Sequence, residues 1–587
     1  MEIPRNSKVL GRAGRGIRDR AWCGWEELEC VVVRDGVTAI GARAFDGCQN
    51  LREVRIPGSV KTIGWGAFRE CPVLEKVVLG EGVETICGED FDRGDKWKPN
   101  GAFAGCTALK SIAIPGSVKE IEPNAFFGCT ALESAVIGEG VKTIGYGAFW
   151  NCPSLKSVVI PDSVEYLGWN AFQDCTSLEA VSIPGGVNRK WAGAFQDCTS
   201  LKSVAIGAGA REIPTTAFYG CTALSSVSIP EGLKVIGEGA FGRCDSLESL
   251  SIPESVKKIA HDAFDWCPRL RTIEYSGNAC RFEGGAMLSS GGKKLFRWRG
   301  WLPGHAKAAI IPDTVTTVGD EAFQGMAELQ TIRFPAIVRK LGHTAFQDCA
   351  ALESIAIPGS VEEMGWGLFW GCSGLKSVVL PENVSKIGDA WFQDCTSLES
   401  IAIPAGVTEI GERAFKGCKS LKSPALPAGV EKIGEEAFGG CSALASIDLP
   451  PEVREIGNEA FKKCTSLESI AIPGSVGKMG TEVFTGCSAL RVAVLGEGME
   501  NVAWGAFQGC KALRSVVLPE GLKRIGGEAF AKTGLRSITV PSTVEKIDWN
   551  AFADCPDLAT VLLPRGLAAS RSSQFRGCGK LAKIMRY

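Results

Sequence analysis

Histidine is almost missing from this chain: only His261, His305 and His343 occur in 587 residues. They stand far apart in sequence, which gives no support to a Ser-His-Asp constellation or a histidine metal site. No HExxH, P-loop or CxxC pair occurs, so the usual zinc and phosphate-cradle signatures are absent. Residues 237–242 match GxGxxG, but without the strand-to-helix setting of a dinucleotide site. An excess of charge is lacking too. The 64 basic and 66 acidic residues nearly cancel, which argues against nucleic acid or a membrane surface as partner of the whole body. No apolar run approaches the roughly 18 residues of a membrane span. Enzymatic chemistry, a cofactor and a metal are therefore not expected.

Phenylalanine, by contrast, recurs with a fixed spacing. Taking residues 460–480 (AFKKCTSLESIAIPGSVGKMG) as the type unit, an anchoring Phe returns from Phe45 to Phe575. Of the 21 intervals between anchors, 18 are 23 residues long, and the exceptions are 35, 59 and 22. Such a period marks a solenoid, in which each coil buries its apolar side only against its neighbours. Twenty of the 24 cysteines lie three residues after an anchor, with Met326 and Thr533 in their place in two coils. A residue type locked to one repeat position reads as a small buried hydrophobe, so these are expected to be free structural thiols.

In the coil after Phe172, Leu178, Val181 and Ile183 follow L-x-x-L-x-L, and their alternation gives a short strand. Val181 and Ile183 should face inward, Ala180 and Ser182 outward. A second apolar pair, as in Val141 and Ile144, predicts a two-residue strand or turn opposite, with Gly145 allowing the turn. The residue after the repeat Leu alternates in sign: Lys110, Glu133, Lys156, Glu179 and Lys202, then Glu353, Lys376, Glu399 and Lys422. Opposite charges on neighbouring strands about 4.8 Å apart form a cross-strand ladder. The fold expected is mainly β: a leucine-rich-repeat solenoid of 23-residue coils, one short parallel strand per coil, and one inserted β-hairpin.

The pattern A-F-x-x-C-x-x-L-x-S-I-x-I-P-x-S-V-x-x-I-G, spread over residues 22–587, resembles the BspA-type leucine-rich repeats of bacterial and protist surface antigens. That resemblance implies a surface or secreted protein that adheres to host matrix proteins and to other microbes; the partner expected is a host-matrix or other cell-surface protein, or a glycan. The family's export signal and surface anchor are not visible in this sequence, so localisation stays open between the cell surface and the cytoplasm. The alternative function is an intracellular interaction scaffold.

Residues 1–21, rich in arginine, are expected to be a disordered basic leader. Residues 22–270 form a first array with a loop insertion at 88–99, residues 271–309 a degenerate hairpin unit, and residues 310–587 a second array. Within 271–309, strands at 286–289 and 294–298 are expected around a Ser-Gly-Gly turn.

Three groups are candidate binding residues. The insertion holds Arg93, Gly94 and Asp95, the tripeptide integrins read; the alternative there is a solvated loop with stray carboxylates. The hairpin carries Arg297 and Arg299 beside Trp298 and Trp301, suited to an anionic ligand or else to covering a neighbouring coil. Tyr146, Trp150, Trp169 and Trp191 should crowd one flank, with Trp366, Trp370 and Trp391 as a related group. Such aromatic rows stack on sugars or anchor proteins, or else seal the turns between coils.

Overall fold

The computed structural model describes residues 7–89, 100–187, 191–283, 285–298, 307–569 and 573–587. It divides into two compact units, residues 1–282 and 283–587. Among the described residues there is no helix. Each unit is a stack of β-coils, coil upon coil.

One coil shows how the sequence dictates the path. Ala180–Ile183 is a strand whose Val181 and Ile183 are buried while Ala180 and Ser182 face solvent. Pro, which cannot donate to a ladder, ends it and opens a turn, as where Val164 N–H donates to Pro161 O at 3.0 Å. A two-residue strand such as Thr143–Ile144 then runs along the opposite side. The return passes through two consecutive turns, Cys175 N–H to Phe172 O at 3.3 Å and Leu178 N–H to Cys175 O at 3.0 Å.

Neighbouring coils pair in parallel with a shift of one repeat, as in Val136↔Val159 and Thr143↔Tyr166. In the first unit the long strands form a ten-stranded sheet from Ser7–Leu10 to Ser226–Ser228. Gly145 proves necessary for a different reason than a turn: a Cβ there would lie 2.7 Å from Pro123 N. Close backbone approach between coils, not a left-handed φ, demands glycine.

The core is a ladder of phenylalanines. Phe45 and Phe68 stack at 5.0 Å and Phe149 and Phe172 at 5.2 Å, with rings nearly parallel. Each ladder begins with a tryptophan: Trp22 lies 5.2 Å from Phe45, and in the second unit Trp298 lies 5.8 Å from Phe323. The 35-residue interval leaves the stack intact, since Phe68 and Phe103 are still 5.2 Å apart. The 22-residue interval does as well, with Phe530 and Phe552 at 5.3 Å. There the missing residue falls in the turn between Phe530 and Leu535, ahead of the long strand.

Two expected boundaries change. Ser7–Leu10, placed in a disordered leader, is a strand paired with Cys30–Val33. This pairing extends the array before residue 22, although at its inward positions Lys8 is exposed and Leu10 only half-buried. The 271–309 segment is not one module. Thr272–Tyr275 pairs in parallel with Ser249–Ile252 as an ordinary long strand of the first unit. Ala286–Ser289 and Lys294–Trp298 form the expected antiparallel hairpin in the second, where Lys294–Leu295 also pairs with Thr317–Val318.

Candidate functional site

Two surfaces emerge from this geometry. The first is the long-strand side of the first unit. Because side chains alternate along a strand, every second residue projects outward, and stacking puts equivalent residues in rows. One row carries Ser111, Ser134, Ser157, Ala180, Ser203 and Ser226, in register from strand to strand. A parallel row carries Ala113, Val136, Val159, Ser182 and Ala205. Val136 and Val159 are 62 % and 72 % exposed, side by side. Along the margin run the alternating charges: Lys156 meets Glu133 at 2.8 Å and Lys202 meets Glu179 at 3.0 Å. In the second unit Lys376 pairs with Glu353, and Lys422 with Glu399, each at 3.0 Å. The short strands carry another alternating ladder, Lys386, Glu409, Lys432, Glu455 and Lys478, aligned in register.

The second surface is the flank carrying the position three residues before each anchor. Tyr146 and Trp150 meet edge to face at 6.2 Å, and Trp150 Nε1–H donates to Asp174 at 2.9 Å. Trp169, one coil on from Tyr146, is exposed. In the second unit Trp366 is exposed beside His343, whose Nδ1 accepts from Trp366 N–H at 3.2 Å, and Trp370 is half-buried.

Trp191 and Trp391 do not join these groups. Both are buried: Trp191 packs edge-on against Phe218, and Trp391 Nε1–H donates to Gly365 O at 2.7 Å. They occupy other repeat positions, four and one residues before their Phe, whose side chains point inward. The hairpin patch is likewise inward. Trp298 caps the phenylalanine ladder, and Arg297 is buried against the carbonyl of Glu321, its guanidinium 3.6 Å from the Glu321 carboxylate. Arg93, Gly94, Asp95, Arg299 and Trp301 lie outside the described residues. Exposed Trp266, Trp504 and Trp549 went unnoticed in the sequence, although Trp504 and Trp549 hold the same repeat position as Trp169.

All 24 cysteines are free thiols. Burial pushes Cys106 and Cys441 up to about 12. Among the described residues no cluster of His, Cys, Asp and Glu is arranged to hold a metal. No helix of the described residues is long and apolar enough to cross a membrane.

The family model of the BspA type leucine rich repeat region matches six times, over residues 15–98, 99–221, 191–291, 305–422, 408–516 and 493–586. Among solved structures, a leucine-rich repeat protein from Eubacterium ventriosum is 23 % identical, covering 57 % of this chain and 83 % of its own, with a TM-score of 0.43. A leucine-rich repeat protein from Bacteroides ovatus is 25 % identical over 83 % of this chain and 89 % of its own, with a TM-score of 0.28. A leucine rich cell surface protein from Faecalibacterium prausnitzii is 23 % identical over 74 % and 82 %, with a TM-score of 0.30. Among curated proteins none matches the chain. Six repeat matches spanning nearly all the residues decide the assignment: the chain belongs to the BspA-type leucine-rich repeat family.

Proposed function

We propose that this chain is a non-enzymatic recognition solenoid that works at a cell surface and binds a protein partner across the long-strand side of its first unit. The observation that carries this reading is the pair Val136 and Val159, 62 % and 72 % exposed on adjacent strands of a ten-stranded sheet. Apolar side chains held outward on a rigid sheet supply the desolvated centre of an interface at little ordering cost. The serine row beside them offers hydroxyls, and the Lys–Glu ladder forms a polar rim. Membership of the repeat family supports recognition over catalysis.

Solid-phase binding of the full chain to a panel of purified matrix proteins tests it. Saturable binding to at least one, weakened tenfold or more by the double substitution Val136→Glu with Val159→Glu, is expected. Binding that the double variant leaves unchanged contradicts the assignment of the face. The 24 free thiols favour a second reading, an intracellular scaffold using the same face, because reducing compartments keep cysteines unpaired.

A further inference from the structure

The flank of the second unit carries a different kind of site near its C-terminal end. Trp504, Gly527 and Trp549 are successive members of the row three residues before the anchors Phe507, Phe530 and Phe552. The two indoles are 40 % and 60 % exposed. Between them Gly527 has no side chain, and the Trp504 indole seats itself there: a Cβ on Gly527 would lie 3.0 Å from Cδ1 and 3.3 Å from Nε1 of Trp504, and 3.3 Å from the carbonyl oxygen of Trp549.

One residue earlier, Asp548 stands where neighbouring coils have small residues, Ala503 and Gly526. Arg524 Nε–H donates to Asp548 Oδ2 at 2.9 Å, and Lys546 Nζ lies 3.1 Å from Oδ1. Burial pushes the Asp548 carboxyl up, but the hydrogen bonds from Arg524 and Lys546 outweigh it and hold the group below the usual carboxylate range. It is an acceptor at neutral pH. Asn501 and Arg524 lie in register on adjacent short strands.

Trp504, Gly526, Gly527, Asn501, Arg524 and Asp548 line an open cleft of about 270 Å³. Clefts for drug-sized ligands run to roughly 300–1,000 Å³, so this one suits a single ring. An aromatic face edged by a carboxylate, a guanidinium and a carboxamide matches a ligand with an apolar face and a polar circumference. A pyranose has that form: axial C–H bonds on one face and hydroxyls, each donor and acceptor, around the rim.

We propose that this cleft binds one hexose-sized unit of a carbohydrate, its C–H face on Trp504 and its hydroxyls on Asp548, Arg524 and Asn501. The site is independent of the long-strand side of the first unit and takes another class of ligand. It gives the array two kinds of contact, protein on a sheet and sugar on a flank.

Saturation-transfer NMR on the full chain tests it, with the methyl glycosides of glucose, galactose, mannose and N-acetylglucosamine as probes. Transfer to the ring protons of at least one glycoside is expected. It should fall at least tenfold in Trp504→Ala and in Gly527→Val, whose side chain would push the Trp504 indole off its seat, each checked by its thermal melt. Trp169→Ala, which removes an exposed indole from the first unit, should leave it intact. No transfer to any of the four glycosides overturns the proposal, as does transfer that survives both Trp504→Ala and Gly527→Val. Loss of transfer in Trp169→Ala alone places the sugar elsewhere and overturns it too.

Discussion

The thiol of Cys175 donates to the backbone carbonyl of Phe149, 26 residues earlier on the preceding coil, at 3.3 Å. The same bond recurs from Cys71 to Phe45 and from Cys464 to Phe438, each at 3.2 Å. Cysteine is thus chosen for two properties at once: it fills a small apolar site, and it satisfies a buried carbonyl that alanine or valine would leave with one partner fewer. Substituting Cys175→Ala removes both the sulfur's packing and this weak bond. A loss of about 1–2 kcal/mol is expected, read as a lowered urea midpoint. A midpoint equal to that of the parent chain contradicts the role assigned to the thiol.

Reactivity of the thiols should follow their place in the stack. Burial pushes ladder thiols such as Cys129, Cys152 and Cys175 well up, whereas the hydrogen bond with Cys555 lowers half-buried Cys578, at the last rung, to about 7. Cys23 is exposed. Brief alkylation near neutral pH, followed by peptide mass spectrometry, should label Cys23 and Cys578 first. Cys87, which burial pushes up to about 12, should lag, and Cys175 should react only after denaturation. Early labelling of Cys175 would show that the coils open far more readily than the stack implies.

Removing one whole coil should disturb the protein less than removing one ring. Deletion of residues 173–195 excises one 23-residue period and rejoins equivalent positions, so parallel register is restored. Phe438→Ala instead empties a fully buried site between two stacked rings, at a cost of about 3–5 kcal/mol. Leu398→Asp, a charge in an equally buried position, should be at least as damaging. Thermal melts that rank the deletion below these point variants contradict a solenoid whose coils are interchangeable.

One ion-pair node should make stability depend on acid. Burial pushes the Glu436 carboxyl up, but hydrogen bonds from Lys416 and Arg413 prevail and hold it below its ordinary value of 4.5. A carboxyl lowered in the folded state stabilises above its unfolded pKa and ceases to do so as the pH falls through the folded value. Glu436→Gln should therefore lower the melting temperature at neutral pH, by an amount corresponding to about 0.5–1 kcal/mol given the solvent screening of such pairs. In acid well below 4.5 the two chains should melt together. A gap that persists in acid assigns the effect to packing instead.

Periodicity explains why so much of this fold is legible in the sequence. With an anchor every 23 residues, the inward Leu178, Val181 and Ile183, the outward Ser182 and the hairpin strands at 286–289 and 294–298 are all where alternation puts them. The charge ladder is real as well, though its bonds join coils in pairs such as Glu133 with Lys156. What alternation does not settle is the direction of a side chain in the turns. Trp169 and Trp391 are the same residue type, each just before an anchor, Phe172 and Phe392, yet one is exposed and the other fills the core beside Gly388, where an added Cβ would sit 2.1 Å from its Nε1. Repeat position, not residue type, decides which tryptophan a partner can reach. The cleft beside Trp504 was hidden for a related reason: it depends on what is missing at Gly527, and an absent side chain makes no pattern.

Protease shaving of intact cells that make the chain, with mass spectrometry of the released peptides, tests the central claim most directly. A recognition solenoid at the cell surface should release peptides of this chain while cytosolic marker proteins stay intact. Protection in intact cells with cleavage only after lysis would contradict it, and would place the same sheet face and the same free thiols in an internal scaffold.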